Sequence, residues 1–145
     1  MKRTAMTMII QVEDKTEIER LLAFLHIGLC VALEQGTVSI EAAEHYLYSP
    51  YTLEKLEELG VSPQLRRVVQ LGSELEDVAS LLPEKLDESL AEMKQAALEI
   101  LQALSDHDPD QQWVQTIPIT SNSVNTTNRL PISTQQAKIY ATSRS

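Results

Sequence analysis

A long apolar segment, residues 16–35, is followed at once by a glycine and by two serine-marked helix starts. Its apolar residues recur with helical spacing and cover nearly all sides of the helix after the first turn. Gly36 is the residue type that most easily takes the left-handed conformation at a helix C-terminus. Ser39 can cap one further helix, and Ser49 with Pro50 can start another. The segment therefore predicts a central buried helix and two short helices after it.

The same signals continue along the chain and predict a bundle built from short helices. Two sequences have the form of a capping box, in which each side chain satisfies a free backbone N–H group: Thr16 with Glu19, and Ser73 with Glu76. Gly72 is expected to end the fourth helix. The predicted helices cover residues 16–35, 40–48, 50–59, 63–71, 73–82 and 83–104. The last of these is amphipathic, so we expect it to pack across the bundle against the first helix.

Residues 6–12 alternate with a period of two and contain β-branched side chains, which predicts one short strand near the N-terminus. A strand needs a neighbour for its backbone N–H and C=O groups. Three neighbours fit the sequence: a later segment, the short stretch 37–39, or the same strand of a second subunit. The sequence leaves all three open.

The composition changes after Asp110. Residues 111–145 contain no Asp or Glu, 19 of the 35 are Ser, Thr, Asn or Gln, and three are charged, all basic. Such a composition predicts a disordered tail rather than a second core. Its apolar patch, residues 113–119, could dock on the bundle, add a strand beside the first one or stay loose. Pro118 weakens the strand option, because proline has no backbone N–H group.

These elements define the expected fold class: mainly α, a compact bundle of about five or six helices with one short N-terminal β-strand and a disordered C-terminal tail. We expect an acidic helical domain over residues 1–110 and a polar tail over residues 111–145. Phe and Trp occur once each and Tyr four times. The core must therefore consist mainly of Leu, Ile, Val and Ala, which suits a helical bundle.

The charge of the chain excludes some classes of partner. Its 21 Asp and Glu residues outnumber its 12 Lys and Arg residues, for a formal net charge of −9. Because binding to a phosphate backbone needs a basic face, we expect no nucleic-acid ligand. The longest apolar run, residues 21–33, contains His26 and is shorter than the roughly 20 residues of a membrane-spanning helix. We therefore also expect no membrane partner.

The single cysteine and the N-terminal sequence bear on the compartment. Cys30 lies in an apolar run and has no second cysteine to pair with, which favours a reducing compartment. The residues that follow the basic N-terminal pair are interrupted by polar side chains and lead at once into a charged segment, so we expect no signal peptide. The expected location is the cytoplasm.

One helical turn carries Glu41, Glu44 and His45, the group most suggestive of a metal or small-molecule site. Bundle proteins hold metals with such carboxylate and imidazole groups when a second helix adds ligands. Glu54, Glu57 and Glu58 of the next helix are the available candidates, but no second His or Cys accompanies them. We therefore interpret the group as a solvated acidic face and expect no metal and no cofactor.

His26 and Cys30 are also four residues apart, so an imidazole and a thiol could meet on the central helix. Apolar neighbours raise the pKa of a thiol and leave it unreactive. A core or half-buried His26 with a hydrogen-bond partner is the better interpretation. The chain has no glycine-rich phosphate loop, no Cys-x-x-Cys and no recognisable nucleophile motif. We therefore assign no catalytic residue.

Three tyrosines, Tyr46, Tyr48 and Tyr51, bracket the turn at Ser49 and Pro50. Clustered tyrosines can anchor a partner, because they bury a large area at low entropic cost and keep a hydroxyl group for a hydrogen bond. They can equally pin the corner onto the bundle. We favour packing and keep all three as candidates for partner binding.

The pattern of residues 28–52, together with LEELG at 56–60, LGSELED at 71–77 and LPEKL at 82–86, resembles an uncharacterised family of small bacterial proteins. The resemblance covers roughly residues 8–103. It implies no established activity, substrate or cofactor.

Three functional hypotheses therefore stay open. The favoured one is a non-enzymatic protein-binding module of inhibitor, immunity or adaptor type, which recognises a partner, preferably basic, through an acidic surface. The candidate partner-binding residues are Glu41, Glu44, His45, Tyr46, Tyr48, Tyr51, Glu54 and Glu57. One alternative is a metal- or small-molecule-binding helical protein, or an enzyme, that uses Glu41, Glu44 and His45. The other is an obligate homo-oligomer, such as a homodimer, with pairing of the N-terminal strand.

Overall fold

The computed structural model describes residues 5–119, and these contain six α-helices, one 3₁₀ turn and two β-strands. In chain order the elements are β1 (Met6–Ile10), α1 (Lys15–Glu34), α2 (Ile40–Tyr46), α3 (Pro50–Leu59), α4 (Pro63–Ser73), α5 (Leu75–Leu81), the 3₁₀ turn (Pro83–Lys85), α6 (Leu86–Ala103) and β2 (Val114–Pro118). The predicted fold class, mainly helical with one short N-terminal strand, is confirmed. Among the helices of this part of the chain, none is long and apolar enough to cross a membrane.

Contacts between Cα atoms divide the chain into two compact units, the helical unit Val12–Asp110 and a second unit that contains both strands. In the helical unit, α1 packs mainly against α6, as the amphipathic pattern of the last helix predicts. α4 packs on α6 and on α1, α3 packs on α4, and α2 packs on α1 and on α5. The largest fully buried side chains of this core are Tyr48, Leu65, Leu75, Met93, His26, Val68, Val69 and Cys30.

Three helices begin at serine caps, as predicted. The hydroxyl oxygens of Ser39, Ser49 and Ser62 each accept a hydrogen bond from the backbone N–H group three residues on, at 3.0, 3.2 and 3.3 Å respectively. Gly36 and Gly60 take the left-handed conformation after α1 and α3, with φ of 72° and 68°. Local capping and glycine signals therefore identify the starts of α2, α3 and α4 and the ends of α1 and α3 correctly.

Both predicted capping boxes are wrong. Within the described residues α1 begins after Asp14 without a side-chain cap, and Glu19 of the proposed box is buried. Ser73 is the last residue of α4, and its hydroxyl group donates to the carbonyl oxygen of Gln70 at 2.6 Å. α4 continues through Gly72 because that glycine packs against another part of the bundle instead of ending the helix.

Two other predicted boundaries also move. α2 ends at Tyr46, two residues earlier than expected. The last helix begins at Leu86 instead of residue 83, because Pro83–Lys85 form a 3₁₀ turn. A 3₁₀ turn is common at the start of an α-helix, which accounts for the shift at Leu86, whereas at the end of α2 the N–H groups of Leu47 and Tyr48 both donate to the carbonyl oxygen of Ala43.

The segment that follows α6 is held against the start of α1 by a buried carboxylate. Glu17 is 3% exposed and accepts hydrogen bonds from Nε of Arg20 at 3.1 Å and from the backbone N–H group of Asp108 at 3.2 Å. Arg20 also donates to the carbonyl oxygen of Ser105. These bonds fix the two ends of the helical unit to each other.

The two strands form an antiparallel sheet in the order β1–β2, with Met6 opposite Pro118 and Ile10 opposite Val114. Of the three neighbours left open for the N-terminal strand, a later segment is the one observed. Residues 114–118 are thus an exception to the disorder expected of the tail, because their backbone groups pair with those of β1. Pro118 is accommodated because it ends its strand. The expectation of disorder for residues 120–145 lies outside the described residues.

Candidate functional site

An apolar groove lies between α1 and the end of α2 in the helical unit. Its volume is about 360 Å³, and it is lined by Phe24, Leu25, Gly28, Leu29, Ala32, Tyr46 and Leu47. Phe24 and Leu25 are each 48% exposed and Tyr46 is 76% exposed. Neighbouring apolar side chains exposed to this extent are typical of interaction sites.

The groove exists because α1 has apolar residues on two opposite faces. One face, with Ala23, His26 and Cys30, is fully buried in the bundle. The other face carries Phe24 and Leu25 and is partly exposed. The Ser39 cap and the buried Ala43 place α2 against α1, so that the end of α2 forms the second wall. Because only one of the two apolar faces of α1 packs into the core, the other face stays partly exposed to solvent.

Gly28 forms part of the groove in the middle of α1. A Cβ atom added at Gly28 would meet nothing within 4 Å in the described part of the chain, so close packing does not require a glycine here. Glycine in a helix interior costs roughly 0.5–1 kcal/mol relative to alanine. Because Gly28 has no side chain, it leaves open space in the groove.

The three tyrosines of the corner are placed differently. Tyr46 lines the groove, whereas Tyr51 is 68% exposed on α3 with the ammonium group of Lys55 5.3 Å from the centre of its ring. Tyr48 is fully buried and packs on Gly72. One tyrosine of the three therefore holds the corner on the bundle, and Tyr48 cannot contact a partner directly.

The acidic candidates do not converge on one point. Glu41, His45, Glu54 and Glu57 are exposed and Glu44 is half-buried. Across the described residues, no group of three or more His, Cys, Asp or Glu side chains is placed to hold a metal ion. Glu41 and Glu44 lie on α2, the helix that forms one wall of the groove, while Glu54 and Glu57 lie on α3. The geometry thus offers two pairs of carboxylates on successive helices, none of them in the lining of the groove, and no ligand cluster among the described residues.

A buried polar group connects α1 to the tyrosine corner. Nδ1 of His26 lies 3.1 Å from the hydroxyl oxygen of Tyr48 and shares a hydrogen bond with it, and the two rings stack with centroids 5.4 Å apart. Sγ of Cys30 lies 4.0 Å from the same hydroxyl oxygen. The prediction of a buried His26 with a hydrogen-bond partner agrees with this geometry. Nε2 of His26 has no hydrogen-bond partner among residues 5–119.

Burial sets the ionisation of this group. It lowers the pKa of His26 to about 4 and raises the pKa of the Cys30 thiol above its ordinary value. Burial also raises the pKa of the Tyr48 hydroxyl group. At neutral pH the imidazole is uncharged and the thiol is protonated, so neither group has the charge that nucleophilic catalysis by a Cys–His pair requires.

Sequence reasoning missed the groove. Among the candidate residues named from the sequence, only Tyr46 lines it; Phe24, Leu25 and Gly28 were not among them. The available signal was a glycine within a helix that is apolar on all sides, because such a helix either is surrounded by protein or keeps one face for a partner. That signal does not say where the neighbouring helices lie.

Comparison with known protein families assigns the chain to a family. A family model described as a protein of unknown function (DUF3969) matches residues 13–115, a range that contains all six described helices and ends within β2. The expected resemblance to an uncharacterised family is confirmed. No curated protein and no solved structure matches the chain.

Proposed function

The chain belongs to the DUF3969 family, whose function is unknown, and we propose that it is a non-enzymatic protein-binding module of inhibitor, immunity or adaptor type. In this proposal the groove between α1 and α2 accepts an apolar side chain of the partner. The acidic surface of the helical unit attracts a basic partner surface. The observation that carries the proposal is Gly28, which leaves open space in an exposed apolar groove at a cost to helix stability.

The lining of the groove favours a protein partner over a small molecule. Small-molecule sites place several convergent polar groups among apolar walls to orient the ligand. Here the side chains of the lining offer a single polar group, the Tyr46 hydroxyl. Exposed aromatic side chains around a shallow apolar depression are instead typical of the central contacts in protein interfaces.

The charge of the helical unit favours a basic partner. All 21 acidic residues of the chain lie within residues 12–110, together with 7 of the 12 basic residues, for a formal charge of −14. Such a surface speeds encounter with a basic protein and opposes encounter with an acidic one. The proposal places the interaction in the cytoplasm, where a lone buried Cys30 stays reduced.

Binding through the groove can be tested by filling it. Full-length protein is immobilised at low salt and exposed to a source-cell lysate, in parallel with Gly28→Leu and Gly28→Ala variants. Leucine fills the groove, whereas alanine adds one methyl group in free space. The proposal predicts a stoichiometric basic protein that is captured by the wild type and by Gly28→Ala, is lost with Gly28→Leu, and elutes as salt rises. Equal capture by all three proteins would refute binding through the groove.

The contribution of charge to partner binding is tested with a matched pair of double variants. Reversing Glu41 and Glu44 to Lys changes the helix that walls the groove, and reversing Glu54 and Glu57 makes the same change of charge on α3. We expect the α2 reversal to weaken capture more than the α3 reversal. Equal losses from the two would indicate a partner attracted by total charge, without contact at α2.

A further inference from the structure

Among the described residues 5–119, no strand lies beside the outer edge of β1. The N–H group of Gln11 donates to the carbonyl oxygen of Trp113 at 2.9 Å, and that of Ile119 donates to the carbonyl oxygen of Ala5 at 2.8 Å. In an antiparallel ladder, backbone groups alternate between the partner and the outer edge. The odd-numbered residues of β1 therefore face β2, and the even-numbered residues direct their N–H and C=O groups to the outer edge of β1.

Three residues carry the groups of this open edge: Met6, Met8 and Ile10. Their backbone N–H and C=O groups have no hydrogen-bond partner within residues 5–119. Their side chains share one face of the sheet and are 51%, 67% and 41% exposed. Natural proteins protect such edges with charged residues, with proline or with a covering element.

The edge of β2 is protected, whereas that of β1 is not. Pro118 lies at the outer edge of β2 and has no N–H group to donate to another strand. β1 contains no proline and no charged residue. A sheet of two strands is also marginally stable without a further neighbour. Within residues 5–119, the edge of β1 is therefore available for another strand.

We propose that β1 pairs with β1 of a second copy of this chain, antiparallel and across a two-fold axis at Met8. In this register Met8 faces Met8 of the second copy, and Met6 of each copy faces Ile10 of the other. All three outward-facing residues then pair, with two backbone hydrogen bonds for each pair of residues. A register centred on Thr7 or Ile9 would pair fewer outward-facing residues.

The charge of the sheet supports a second copy as the occupant. Residues 5–11 and 111–119 contain no charged residue, so the repulsion between two acidic helical units is not reinforced at the edge itself, and neither a basic nor an acidic partner is selected there. The result is a four-stranded sheet in which the apolar side chains of both copies lie on one continuous face. A two-fold pairing of this kind closes at two chains.

The test measures the mass of the full-length chain in solution by size-exclusion chromatography with light scattering, over a dilution series. The wild type is expected to reach twice the 16.2 kDa of one chain. Met8→Pro removes the central N–H group of the proposed pairing, and this group does not bond to β2. Thr116→Pro is the matched control, because Thr116 lies opposite Met8 and its N–H group points to the outer edge of β2. We expect a monomer from Met8→Pro and a dimer from Thr116→Pro.

A second pair of variants covers the case in which proline disturbs the sheet. Met8→Lys places two lysines opposite each other at the proposed axis, while Thr116→Lys adds the same charge to the same face on β2. Loss of the dimer with Met8→Lys alone supports the pairing. A monomeric wild type, an assembly larger than two chains, or equal effects at positions 8 and 116 would overturn it.

Discussion

The aromatic ring of Tyr48 occupies the space that a side chain at Gly72 would need. A Cβ atom placed on Gly72 would overlap ring carbons of Tyr48, which is fully buried. Gly72 is an ordinary helical residue inside α4, so it does not form a turn and instead allows the ring of Tyr48 to approach α4 closely. Because the hydroxyl group of Tyr48 bonds to His26 on α1, one side chain connects α1, α4 and the corner after α2.

Alanine substitutions at two helical glycines are expected to have opposite effects. Gly72→Ala should lower the free energy of unfolding by about 1–3 kcal/mol, because overpacking against Tyr48 outweighs the better helix propensity of alanine. Gly28→Ala should raise the free energy of unfolding by about 0.5–1 kcal/mol, since the new methyl group meets nothing within 4 Å in the described residues. Urea unfolding of the full-length proteins, followed by circular dichroism, measures both. Shifts in the same direction would contradict the assigned roles.

Removing one hydroxyl group from the buried cluster should also destabilise the protein. Tyr48→Phe leaves Nδ1 of His26 without its partner at 3.1 Å, and we expect a loss of about 1–3 kcal/mol in the free energy of unfolding. Tyr46→Phe removes the same group from a side chain that is 76% exposed and should change stability by less than about 0.5 kcal/mol. The same urea titrations compare the two variants, and equal effects would argue against a stabilising bond.

Burial of His26 predicts a dependence of stability on pH. Its pKa is lowered from 6.5 to about 4 in the folded protein. Between these values the unfolded chain binds a proton on His26 that the folded chain does not bind. The free energy of unfolding should therefore fall as pH decreases from 6.5 towards 4, by about 3 kcal/mol from this group, and the contribution is fully retained above pH 6.5.

His26→Gln isolates this effect, because glutamine can bond to Tyr48 but does not titrate. The variant keeps every carboxylate and the exposed His45 and His107, so these groups contribute equally to both proteins. Urea unfolding at a series of pH values should give a flatter dependence between pH 6.5 and 4 for the variant than for the wild type. Parallel curves would show that His26 does not stay neutral in the folded state.

The carboxylate of Glu17 should contribute much more to stability than an exposed one. Glu17→Ala leaves Nε of Arg20 and the N–H group of Asp108 without their partner, and we expect a loss of about 2–3 kcal/mol. Glu58→Ala breaks the exposed ion pair with Lys55 and should cost at most about 0.5 kcal/mol. Thermal unfolding of the two variants compares them. Similar midpoints would mean that the contact between α1 and the segment after α6 carries little energy.

Local signals in the sequence were sufficient for most of the helices. Serine before a helical pattern predicts the starts of α2, α3 and α4, and glycine after such a pattern predicts the ends of α1 and α3. Both signals work because the interactions involve residues three or four apart. The same kind of signal failed at Gly72. Whether that glycine ends a helix or lies under a ring depends on Tyr48, which is distant in sequence.

At the candidate site, too, local sequence predicted some features and distant residues decided others. The sequence placed three tyrosines at one corner, and the structure buries Tyr48 while leaving Tyr46 in the groove. Burial depends on the path of α4 and on the space at Gly72, neither of which is encoded within the corner. For the same reason Gly28 could be assigned to the groove only after α2 was placed against α1.

The sequence by itself determined the helical class, the starts of α2, α3 and α4, the acidic character of residues 12–110 and the short strand near the N-terminus. These properties depend on composition, periodicity and contacts between near neighbours in the chain. The tertiary structure decided which face of α1 is buried, which strand pairs with β1 and which of its edges stays open. Those outcomes depend on packing and backbone hydrogen bonds between segments as far apart as β1 and β2, and no local pattern specifies them.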